Sequence, residues 1–124
     1  MFKDRFAPLV RSGQKLQTIR PIRKRPILTG DLLSLRRWTG KAYRSKQEEL
    51  AVGRCLAVCW ITIGCPEDSY PDGILIDGIR MDTAERAAIA RADGFSCMTG
   101  MLDWFENEHG LPFAGIVIRW RLVL

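Results

Sequence analysis

The chain has 124 residues, enough for one domain with a core of its own, and its 47% hydrophobic and 27% charged content is ordinary for a soluble globular protein. No uninterrupted apolar run approaches the ~20 residues of a membrane helix, and Met1–Phe6 places charges where a secretory signal needs its apolar stretch. A cytoplasmic protein without a membrane partner is therefore expected. The net charge of +5 is unevenly spread: residues 1–46 hold thirteen Lys and Arg against Asp4 and Asp31, whereas residues 47–124 hold six basic against twelve acidic side chains.

At the N-terminus, Phe2, Phe6, Leu9 and Val10 form one stripe of a short helix. Pro8 either begins this helix or splits it, and Gly13 is placed to end it in the left-handed conformation. Residues 13–20, Gly-Gln-Lys-Leu-Gln-Thr-Ile-Arg, then set Lys15, Thr18 and Arg20 among apolar neighbours. Thr18-Ile19-Arg20 precedes Pro21 and is expected to be extended, with Thr18 and Arg20 on one face. Lys15 is an odd number of residues from Thr18, so a bend at Leu16-Gln17 or a helical turn is needed to bring its amine beside the hydroxyl.

Residues 21–30 form a basic loop with two prolines, including Arg23, and Gly30-Asp31 turns into a strand over Leu32–Trp38 that carries Arg36 and Arg37. A second basic loop, Thr39–Lys46, interleaves Tyr43 with Lys41, Arg44 and Lys46, just after Trp38. Cations for phosphates beside aromatics for bases is the pattern of a single-strand binding surface. With a basic excess confined to this third of the chain, a polyanionic partner is expected, against the plainer alternative of a solvated surface balanced by distant charges.

Val52–Ile63 reads as the central strand, apolar enough to be covered on both sides. Cys55 and Cys59 fall in it at even spacing, on one face. The four cysteines include no C-x-x-C pair and His109 is the only histidine, so reduced buried thiols are expected, with no metal and no cofactor. A loop with Pro66, Glu67, Asp68, Pro71 and Asp72 leads to a brief strand, Ile74–Ile76. Asp82 with Glu85 is a capping-box start to a helix that ends at Asp93-Gly94. A second helix follows Ser96 or Thr99, with Met98, Met101, Leu102 and Phe105 as its core stripe. After Gly110 and Pro112 comes a last strand, with Ile116, Ile118, Trp120 and Leu122 alternating with partly polar neighbours.

This order resembles the ASCH family, a branch of the PUA-like superfamily, over nearly the whole chain. The matching residues are Gly13, Lys15, Thr18 and Arg20; Gly30-Asp31; Asp93-Gly94-Phe95; and Pro112-Phe113 with Ile116–Trp120. The resemblance implies an α+β, mainly β fold: a pseudobarrel of about five or six strands, a short N-terminal helix and two helices before the last strand. It implies a cleft beside the first motif and an RNA or nucleotide ligand. On this reading Lys15, Thr18, Arg20, Arg23, Arg36, Arg37, Trp38, Lys41, Tyr43 and Arg44 make the binding surface. The walls of the cleft are then the two basic loops and the Asp93-Gly94 turn. A small relative implies a second reading, an amidohydrolase acting on N4-acetylcytidine, with Thr18 as nucleophile, Lys15 as base and Asp93, one methylene shorter than the usual Glu, as orienter. A lysine at its ordinary pKa of about 10.4 is too protonated to serve as that base, so this reading requires burial or nearby cations to lower it. A protein-interaction domain is the third reading.

Overall fold

The computed structural model describes residues 1–64 and 73–123. Cys65 and the expected loop residues Pro66, Glu67, Asp68, Pro71 and Asp72 lie outside the described residues. The elements run α1 (Ala7–Ser12), β1 (Gln17–Arg20), β2 (Leu32–Trp38), β3 (Gln47–Ile63), β4 (Ile74–Ile76), β5 (Ile79–Arg80), α2 (Thr83–Ala92), α3 (Met98–His109) and β6 (Phe113–Leu122). The fold is α+β and mainly β: six antiparallel strands, a short N-terminal helix, and two helices before the last strand. Among the described residues no helix is long and apolar enough to cross a membrane.

Local chemistry accounts for most of the boundaries. Pro8 sits in the first turn of α1, where its missing N–H has no helical partner to lose, so it begins the helix and Phe2 falls outside it. Gly13 closes α1 at φ 80°, its N–H donating to Val10 O. At α2 the Asp82 carboxylate accepts from Glu85 N while Asp82 N donates to the Glu85 carboxylate, satisfying two of the orphan donors of that helix end. Helix α3 starts after Cys97 with no side-chain cap, and buries Met101 and Phe105 of the expected stripe.

The long strand β3 is the spine. Along one edge it pairs with β2 through its first half and with β4 at its far end; along the other it pairs with β6, whose second neighbour is β1. The strand begins at Gln47, five residues before Val52, because Glu49 and Glu48 stand directly across from Arg36 and Arg37 in the β2–β3 hairpin. Opposite charges across a ladder favour pairing that the polar sequence Gln47-Glu48-Glu49 does not suggest alone.

Two expectations for β3 are corrected. Its register with β6 shifts between Cys55 and Ala57, leaving Leu56 as the extra residue of a bulge. Cys55 then lies opposite Trp120 and Cys59 opposite Val117, so the bulge puts the two thiols on opposite faces, and only Cys55 is fully buried; Cys97 is exposed. Nor is the strand covered on both sides. Leu56 and Trp60 are 53% and 60% exposed.

Strands β1 and β2 do not pair with each other. The sheet curls so that both line one cleft, and residues 1 and 2 bridge the gap. Phe2 N donates to Arg36 O on β2, the Arg20 guanidinium on β1 donates to Met1 O at 2.9 Å, and the Phe2 ring packs edge-on against Trp120.

Candidate functional site

The left-handed turn at Gly13 sends Lys15 inward, held by Lys15 N donating to Leu9 O. Its side chain is only 2% exposed. The ammonium donates to the backbone carbonyl of Asp93, one of the carbonyls left over at the end of α2, so a cation caps the negative end of that helix. It also stands 3.2 Å from Asp93 Oδ1, close enough for charge pairing but poorly angled for a hydrogen bond, and this carboxylate oxygen has no hydrogen-bond donor. Phe6 lies beneath the ammonium at 4.7 Å.

Burial dominates the protonation of both partners. It pushes the Lys15 amine below its ordinary 10.5, against the pull of Asp93, with Arg20 and Arg5 adding to the depression. It pushes the Asp93 carboxyl above 3.8, against the pull of Lys15. The two shifts bring the acid and the base towards each other.

On β1, Thr18 and Arg20 do share one face. Arg20 Nε donates to Thr18 Oγ1 at 3.0 Å, and its guanidinium lies 5.1 Å over the Phe2 ring. Arg20 has no carboxylate within ion-pair distance among the described residues; Asp93 and Arg23 act on it only through space. Its positive charge is thus positioned by neutral groups and left available.

Lys15, Thr18, Arg20 and Asp93 line one small cavity of about 90 Å³ together with Phe2, Phe6, Trp104 and His109. Thr18, Arg20, Phe2 and Pro21 also line the larger cleft between β1 and β2, about 770 Å³, which continues along Arg23, Ile27 and Asp31 to Leu35 over a floor of Ile118 and Trp120. The Trp120 indole N–H is buried and finds no acceptor among the described residues. Ile118 and Trp120 were within reach of the sequence, since they alternate on the buried face of the last strand. Trp104 and His109 were not, because their place depends on how α3 docks.

The remaining predicted residues fall elsewhere. Of the two basic loops only residues 21–30 wall the cleft; Thr39–Lys46 forms the tip of the β2–β3 hairpin and does not reach it. That corrects the expectation that both basic loops and the Asp93-Gly94 turn wall one cleft: Asp93 lines only the smaller cavity, and the length of β2 carries Trp38 away from Leu32–Leu35. Arg37 donates to Glu48 and lies 3.3 Å from Asp4, Arg36 pairs with Glu49, and Arg11 pairs with Glu48. The stem cations Arg36 and Arg37 are matched by the fold's own acids. Trp38, Lys41, Tyr43 and Arg44 stand at the tip, with the rings of Trp38 and Tyr43 5.3 Å apart.

No group of three or more His, Cys, Asp or Glu that could hold a metal occurs among the described residues. Compared with known proteins, the chain matches no family model, no curated protein and no solved structure.

Proposed function

We propose that this is a cytoplasmic RNA- or nucleotide-binding protein of the ASCH type, with a PUA-like barrel, taking its ligand in the cleft between β1 and β2. The observation that carries this reading is Arg20: a half-buried guanidinium on the cleft wall, oriented by Thr18 and Met1 O and paired with no carboxylate among the described residues. Arg23 beside it supplies a second cation, and the apolar floor suits a base or ribose. The cleft's volume is within the ~300–1,000 Å³ typical of small-ligand sites. Lys15, facing Asp93, orders the α2 terminus behind the cleft.

Titration with a mononucleotide and with a single-stranded RNA of roughly ten nucleotides, followed by tryptophan fluorescence, tests this. Affinity should fall steeply with salt. Arg20→Ala should cost about 1.5–3 kcal/mol of binding, the usual range for a charge-assisted hydrogen bond. Binding that ignored both salt and Arg20 would count decisively against the cleft.

A second reading, an amidohydrolase on N4-acetylcytidine, is favoured by the depressed amine of Lys15 in the same cavity as the Thr18 hydroxyl. Attack by Thr18 requires the amine to turn from Asp93 towards the hydroxyl and to arrive neutral. Purified protein should then release acetate from N4-acetylcytidine, and Thr18→Ala should abolish it. An absence of turnover above buffer eliminates this reading.

A further inference from the structure

The tip of the β2–β3 hairpin is held in shape by its own hydrogen bonds. Thr39 N and Oγ1 both bond Lys46 O, Gly40 N donates to Ser45 Oγ, Ser45 Oγ donates to Lys41 O, and Arg44 N closes a turn on Lys41 O. These bonds hold Tyr43 at φ 63°, a conformation that a bulky residue adopts only under strain. The result is a tyrosine 88% exposed, its ring set against Trp38. Around it Lys41, Arg44 and Lys46 are exposed and have no ion-pair partner among the described residues, in contrast to Arg36 and Arg37 further down the ladder. The stem has been neutralised and the tip has not.

We propose that this tip is a second contact for single-stranded RNA, separate from the cleft: Tyr43 and Trp38 stack on bases while Lys41, Arg44 and Lys46 meet the phosphates of the same strand. An aromatic face flanked by cations is what a flexible strand with alternating bases and phosphates recognises. This inference rests on the cleft reading and extends it by making the ligand a polymer that reaches both places.

The test compares a mononucleotide with single-stranded RNAs of increasing length, up to roughly sixteen nucleotides, on the wild type and on two variants, Tyr43→Ala and the double variant Lys41→Ala/Arg44→Ala. Wild-type affinity should rise with length once a strand spans cleft and tip. Tyr43→Ala should weaken long-strand binding about tenfold, the loss of roughly one stacked base, while leaving mononucleotide binding unchanged. The double variant should reduce the salt slope of long-strand binding by about 0.7 for each phosphate that the tip no longer neutralises. Long-strand affinity equal to wild type in both variants overturns the proposal. Loss on Tyr43→Ala with no effect of Arg20→Ala and no mononucleotide binding would retain the tip and reject the cleft. Binding of anionic vesicles but not RNA would assign the tip to a membrane surface and overturn it.

Discussion

Asp93→Ala should destabilise the protein by about 3–5 kcal/mol near neutral pH, because it leaves the Lys15 ammonium buried without its counter-charge. The backbone carbonyl of residue 93 still accepts from the amine, which places the cost towards the lower end. Urea unfolding should show a lower midpoint with an unchanged slope. The cost should also fall as pH rises. The folded-state value of Asp93 lies above 3.8, so burial favours its neutral form in the fold, the wild type gains stability as pH falls through that value, and the cost of removing Asp93 is largest on the acid side. Lys15 titrates below 10.5, so as pH rises through its depressed value the amine becomes neutral and no longer needs the acid. Adding Lys15→Met to Asp93→Ala should recover part of the loss, since it removes the unpaired buried charge. A cost below about 1 kcal/mol across the whole range would mean that the pair is not coupled as its geometry requires.

Gly115→Ala should be nearly as damaging for a different reason. A Cβ there would stand 2.3 Å from the backbone oxygen of Arg20 and 2.8 Å from the Phe113 ring. The ring could give way, but the oxygen belongs to the β1–β6 ladder, where Arg20 is opposite Ile116, and only displacement of β1 relieves the clash. Overpacking of this kind costs about 3 kcal/mol at the upper end of its ordinary range. Because β1 carries Thr18 and Arg20, nucleotide binding should weaken alongside stability. Stability within about 0.5 kcal/mol of wild type would show that β1 slides without penalty.

What the sequence revealed and what it hid divide along the range of the forces involved. Gly13, Pro8 and the Asp82/Glu85 box act within a turn of themselves, and their elements stand where local chemistry puts them. The bulge at Leu56 arises from the fit of β3 against a strand about sixty residues later, and no local pattern announces it. The first residues of β3 are intermediate. Counting back from the Thr39–Lys46 tip pairs Trp38 with Gln47, Arg37 with Glu48 and Arg36 with Glu49, so the neutralisation of the stem was legible in the hairpin register. Lys15 and Asp93 are 78 positions apart. Their meeting was anticipated through the family resemblance and not through spacing, while the backbone carbonyl that Lys15 also caps had no signal in the sequence.

The position of β1 has a kinetic meaning. Thr18 is opposite Ile118, so the strand bearing the candidate site is held by partners a hundred residues away, through pairing made, among the described residues, only with β6. Pairings of such high contact order are slow to form, since the entropy of closing the loop is lost before any contact offsets it. The β2–β3 hairpin has no such delay, because its tip joins neighbours in sequence. During folding the hairpin and its exposed tyrosine should therefore take shape before β1 docks on β6 and completes the cleft.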